Sequence, residues 1–189
     1  SLSSSADATI NGVTVGKGVN SVNGNTVLGE NALDAAVTGQ QNTAIGQNSM
    51  TNNTSGQQNV AVGQGTLAAN TTGISNTALG RSALAANTTA SNNVAVGQQS
   101  LLSNTTGTNN IGVGVQALEA NTTGGSNVAI GKQALQNATT TSNNTAVGQI
   151  ALRANTTGAS NTAIGQNSLY LNTTGNYNVA VGANTLDAN

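Results

Sequence analysis

The 189-residue chain has no cysteine, histidine, proline, tryptophan or phenylalanine, and its only aromatics are two tyrosines. Without cysteine there is no disulfide framework, thiolate metal site or thiol nucleophile. Without histidine the commonest general base and metal ligand is gone. Charge is scarce: four Lys/Arg and five Asp/Glu give a formal charge of −1. That balance supplies no basic field for nucleic acid or an anionic membrane. Apolar runs are too short for membrane insertion as a helix. The chain opens at Ser1 with no signal-like segment, as a processed chain or a fragment would.

What the chain has is 31 Asn, 28 Thr and 24 Gly. Such a composition also marks disorder, but periodicity argues against it. An Asn-x-x-x-Gly string begins at Asn25, Asn42, Asn59, Asn76, Asn93, Asn110, Asn127, Asn144, Asn161 and Asn178, always 17 residues apart. A disordered tail tolerates insertions, whereas a stack of rungs loses its register with one. The fixed period predicts an all-β parallel β-solenoid, or β-roll, of about ten 17-residue rungs over residues 25–189. Residues 1–7 read as a flexible leader and 8–24 as an atypical capping rung. Ten rungs at about 4.8 Å make a rod about 48 Å long.

The rung reads Asn-(Thr/Val)-Ala-(Ile/Val/Leu)-Gly-x-x-(Ala/Ser/Thr)-Leu-x-x-Asn-Thr-Thr-Gly-x-x. Positions one to five suggest a short strand with positions two and four on one face and three and five on the other. The aliphatic position four (Ile45, Val62, Leu79, Val96, Val113, Ile130, Val147, Ile164) is expected in the rung's own core. Position nine (Leu67, Leu84, Leu101, Leu118, Leu135, Leu152, Leu169) is expected there too. The small column at position three (Ala44, Ala61, Ala78, Ala95, Gly112, Ala129, Ala146, Ala163, Ala180) suits close approach of another backbone. It is therefore expected to pack against a neighbouring chain, so that Ala95→Leu or Ala129→Leu would block association. Positions six to eleven fit a strand or a single helical turn. The strand is favoured, because a stack pairs backbone groups with the rungs above and below. The invariant Asn at position one predicts an amide ladder along the axis, with Thr columns at thirteen and fourteen able to do likewise.

Several motifs read more simply as structure. The Asn-Thr-Thr sequons at Asn70, Asn87, Asn104, Asn121, Asn155 and Asn172 fit repeat turns. Gly16-Lys17-Gly18 and Gly112-Val113-Gly114 lack the βαβ context of a phosphate loop. The five carboxylates fall on distant, solvated positions. Tyr170 and Tyr177 fit ordinary surface, with stacking on a sugar ring as the functional option. No catalytic residue, metal site or cofactor is expected, and the chain is not expected to be an enzyme.

Segments such as Asn59-Val-Ala-Val-Gly63, Asn127-Val-Ala-Ile-Gly131 and Asn161-Thr-Ala-Ile-Gly165 resemble the head repeats of bacterial trimeric autotransporter adhesins. They also resemble repeats in phage tail-fibre-like proteins. The resemblance implies a β-roll assembled as a homotrimer, extracellular, on a virion tail fibre or cell surface, meeting a receptor or surface glycan. The adhesin repeat is commonly shorter, which leaves a larger loop here at Asn-Thr-Thr-Gly. The alternatives are an end-to-end filament, suggested by the C-terminal rung stopping without a polar cap, and an ice-binding solenoid using the Thr columns.

Overall fold

The computed structural model describes residues 7–35 and 37–187. The chain is a parallel β-solenoid: one 12-stranded sheet in sequence order, with no α-helix among the described residues. The strands are β1 (Ala8–Ile10), β2 (Val13–Gly16), β3 (Thr26–Gly29), β4 (Thr43–Ile45), β5 (Val60–Val62), β6 (Thr77–Leu79), β7 (Val94–Val96), β8 (Ile111–Val113), β9 (Val128–Ile130), β10 (Thr145–Val147), β11 (Thr162–Ile164) and β12 (Val179–Val181). From β3 onward neighbours pair in parallel at a shift of 17 residues, as in Ala44 opposite Ala61 and Ile45 opposite Val62. Rungs are numbered from one, starting at Asn25. Of the leader, residues 1–6 lie outside the described residues, as do Ala36 and the last two residues.

Segment 8–24 caps the roll without being a rung. β1 and β2 form an antiparallel hairpin, and β2 pairs antiparallel with β3. A short 3-10 turn at Val19–Ser21 then crosses the first rung. There the Val19 N–H donates to Leu33 O at 3.3 Å, and Asn20 Nδ2 to Val37 O at 3.0 Å. This lid leaves Leu33 fully buried although it belongs to the first rung.

The structure reverses the two faces of the repeat strand. Position three points into the roll: Ala44, Ala61, Ala78, Ala95, Ala129, Ala146 and Ala163 are wholly buried within the single chain, Gly112 is buried, and Ala180 is 4% exposed. The column expected to meet another chain is thus the interior. Position four, expected in the core, points outward: Leu79, Ile130 and Ile164 are exposed and Ile45, Val62, Val96, Val113 and Val147 half-buried. The reason is volume. The rung is narrow, and Leu67, Leu84, Leu101, Leu118, Leu135, Leu152 and Leu169 already fill it at position nine, all fully buried. In these rungs a methyl or a hydrogen stands opposite them, and the larger Val27 is held at position three only in the first rung. The close backbone approach signalled by the small residues is that of the next rung. At position five of rungs one to nine, an added Cβ would lie no more than 2.9 Å from the next rung's glycine carbonyl group.

Positions six to eleven are neither strand nor helical turn. Positions seven and nine both lie in the left-handed region, with φ of 56° at Asn48 and 51° at Met50, and the pattern repeats in every rung. Alternating handedness curls the chain while still aiming N–H groups along the axis. Met50 N–H donates to Thr66 O at 2.9 Å in the next rung, and Asn48 N–H to Glu30 O at 2.9 Å in the previous one. The pairing between rungs expected of a strand is kept in a turn conformation. A left-handed leucine costs about 1–2 kcal/mol, and full burial of its side chain contributes about 1.5–3 kcal/mol.

Ala95→Leu is therefore expected to overpack the interior and destabilise the roll by about 1–3 kcal/mol. Val96→Leu, one residue on and facing outward, should stay within about 0.5 kcal/mol. Thermal unfolding followed by circular dichroism compares the two.

Candidate functional site: buried asparagine columns and an apolar outer face

Two columns of asparagine run through the roll. At position one, Asn42, Asn59, Asn76, Asn93, Asn110, Asn127, Asn144 and Asn161 are fully buried, with Asn25 at 6% exposure and Asn178 half-buried at the last rung. From Asn25 to Asn161 each Oδ1 accepts from the next rung: Asn93 N–H reaches Asn76 Oδ1 at 3.0 Å, and Asn93 Nδ2 reaches the same atom at 3.2 Å. The Nδ2 of Asn93 also donates across the turn to Gly107 O at 2.9 Å. The second column is position twelve, the first residue of the sequons. Asn70, Asn87, Asn104, Asn121 and Asn155 are fully buried and Asn172 is 1% exposed. Asn104 Nδ2 donates to Asn87 Oδ1 at 3.2 Å and to Gly107 O at 3.0 Å. One carbonyl at position fifteen is thus clamped by two side chains. A folded roll presents none of these six sequons to a glycosyl transferase.

Position fifteen is crowded, Ala90 of rung four being accommodated with both ladders intact. At Gly56, Gly73, Gly107, Gly124, Gly158 and Gly175 an added Cβ would fall no further than 2.5 Å from the Oδ1 of the same rung's position-twelve Asn. The sequence shows the period-17 column at position one. The second ladder was marked only by sequons, and its pairing with position one through a shared carbonyl depends on how the turn closes.

The threonine hydroxyls at position thirteen are committed as well. Thr71, Thr88 and Thr105 donate to the carbonyls of Thr88, Thr105 and Thr122 at 3.0–3.2 Å. Those hydroxyl hydrogens are thus used within the roll.

The Gly16-Lys17-Gly18 segment does bind an anion, but its own. Lys17 N–H and Gly18 N–H each donate to the Asp7 carboxylate at 2.6 Å. Asp7 and Asp34 share an open pocket beneath the cap with Thr9, Thr14 and Asn20. Among the described residues no three His, Cys, Asp or Glu side chains gather to hold a metal ion. No helix of the described residues is long and apolar enough to cross a membrane. Tyr170 lies within a surface column, accepting from Arg153 Nη1 at 3.4 Å, whereas Tyr177 is 83% exposed at a different point of the rung.

The outer face of the sheet carries a largely apolar strip along the roll. Its two columns are position two, alternately Thr, Val or Ile from Thr26 to Val179, and position four, always aliphatic from Leu28 to Val181. Leu28, Val60, Leu79, Ile111, Ile130 and Ile164 are 37–47% exposed. Strand pairing carries the face onto the cap, where Val15 lies beside Leu28 and Ala8 beside Val15. Ten rungs with two columns give a flat footprint on the order of 300 Å², the size of the largest apolar patch on an ordinary monomer. No charged residue stands in either column. The charges of the repeats fall at position six (Glu30, Arg81, Lys132) and position ten (Asp34, Glu119, Arg153, Asp187). One rim of the face is therefore charged. The opposite rim, position seventeen, carries only Gln, Ser, Asn and Tyr177.

Asn93→Ala removes the acceptor for the Asn110 N–H and a donor to Gly107 O, and is expected to cost about 1–3 kcal/mol. Thr89→Ala, at an exposed turn position, should change stability by no more than about 0.5 kcal/mol. Urea unfolding of both variants measures the difference. Compared with known protein families, curated proteins and solved structures, the chain matches none.

Proposed function

We propose that this chain is a structural shaft or receptor-binding segment of an extracellular fibre, built from three copies lying side by side in the same direction. The virion tail fibre and the cell-surface adhesin are the two settings such a segment suits. The observation that carries the reading is the uncharged aliphatic and threonine face left open along the whole roll. A second copy is its natural cover, because every rung presents the same two columns at the same spacing. This replaces the alanine column as the association surface. Footprint alone falls short of the roughly 800 Å² that each partner gives to a stable interface, so the rims at positions six and seventeen join the contact.

Charge placement favours parallel over antiparallel association. A centred antiparallel pair, related by a twofold axis along the strands, sets rung four against rung seven. It brings Arg81 beside Lys132 on the shared charged rim, and like charges are costly at an interface. A parallel arrangement about the long axis sets the charged rim of one copy against the uncharged rim of the next. Surface turns at positions ten to fourteen stay outside and are where a receptor or glycan would be met.

End-to-end filament growth is the second reading. β1 runs in the same direction as the repeat strands, because two antiparallel steps restore it, so β1 of one copy matches β12 of another in direction.

Light scattering is expected to give three times the 18.4 kDa chain mass. Val96→Lys with Ile130→Lys should give folded monomer, with an unchanged circular dichroism spectrum. A monomeric wild type, or a trimer that survives both lysines, overturns the proposal. Long fibres in negative-stain micrographs would favour the filament.

A further inference from the structure

The repeats are not uniform: single departures occur at Gly65, at Ala90 and at the unpaired Asn167 Oδ1, and several fall together in rungs seven and eight. The position-twelve ladder runs without a break from Asn53 to Asn121, with Nδ2 to Oδ1 distances of 2.7–3.2 Å. It resumes between Asn155 and Asn172 at 3.1 Å. Between them, in rung seven, stands Ala138. Asn121 Oδ1, facing rung seven, is consequently buried without a hydrogen-bond partner, and Asn155 Nδ2, in rung eight, meets Ala138 where its ladder acceptor would stand and donates to Gly158 O at 2.8 Å. The same rung carries Thr141 at position fifteen, where the other described residues are Gly or Ala90. A methyl is accommodated beside the ladder, since Ala90 shares rung four with a fully bonded Asn87, whereas the larger Thr141 stands in the rung where Ala138 replaces the Asn. Thr141 Oγ1 takes over part of the role, donating to Gly158 O and accepting from Asn144 Nδ2 at 2.9 Å.

The repair is incomplete. Thr139 N–H reaches Thr156 O at 3.5 Å, whereas the same bond is 2.8–3.2 Å from Thr71 to Thr122 and 2.9 Å at Thr156. Rung eight adds Ile150 at position seven with φ of 53°. Elsewhere that left-handed position holds Asn, Gln, Ser or Gly, and a β-branched residue is strained there.

We propose that the junction of rungs seven and eight is a built-in seam, at which the roll opens so that residues 144–187 separate as one unit from the rungs before them. In a solenoid each rung is held only by its neighbours, so one weak junction sets where the array divides. Local opening then follows the weakest cooperative boundary. A shaft with such a seam yields at a fixed level and keeps rungs two to six intact. The inference concerns one chain and does not depend on how many copies associate.

Hydrogen exchange by mass spectrometry on the full chain tests it. Amides of 144–187 are expected to exchange together, at least about tenfold faster than those of 43–121, with the step between Asn121 and Asn144. The double variant A138N/T141G restores the ladder and should slow exchange of 144–171 at least about tenfold, leaving 43–121 unchanged. Ile150→Asn should slow the same segment through an independent change. Exchange that rises smoothly toward the C-terminus, or a step at another rung, overturns the proposal. So does exchange in both variants equal to wild type. Should A138N/T141G fail to fold, the wild-type step and Ile150→Asn decide.

Discussion

Everything in this molecule depends on matching each rung to the next at a shift of 17 residues. A rung encloses a single leucine-sized side chain, too little to hold it closed alone. Its order comes from bonds along the axis: strand ladders at one side, left-handed turns at another, and two asparagine columns between. The invariant glycine at position five is part of the same constraint. Its φ of 124–157° and the nearness of the next rung's glycine leave no space for a side chain. Proline's absence follows too, because N–H groups at many positions of the rung reach a neighbouring rung.

The asparagine columns answer a problem that narrow solenoids share. Closing the turn brings a peptide carbonyl at position fifteen inside, where an unpaired acceptor costs about 1–3 kcal/mol. Two carboxamides meet it, one from each side, and then bond to their copies above and below. A carboxamide can donate and accept at once, so the column propagates without a net charge. Serine and threonine at position eight play a smaller version of this role, as where Ser100 Oγ donates to Gly112 O at 2.9 Å.

Packing the interior with alanine, asparagine and one leucine leaves the larger aliphatics outside. That inversion is the source of the functional proposal. Isoleucine and valine in a strand ordinarily read as core, but here the core has no volume for them, and a flat apolar sheet faces outward. That face, free of charge over ten rungs, is the surface on which the proposed association rests. The separation of charged and uncharged rims then bears on the direction in which copies lie.

The architecture was legible in the residues because period and register are properties of sequence spacing alone. Ten Asn-x-x-x-Gly strings at a constant interval dictate a parallel stack, whatever the shape of each rung. The position-one ladder was legible for the same reason, since identical residues at identical positions must line up. Which strand face points inward was not legible. Alternation separates Ala95 from Val96 but carries no sign, and either face reads as buried when one is small and the other aliphatic. The sign is set by the turn at positions six to eleven, whose alternating left-handed residues bring Leu101 beneath the alanine column. Propensity does not foresee leucine at positive φ, because only the closed rung makes that conformation favourable. Sequence determined the period, and the volume inside one closed turn decided which residues it could hold.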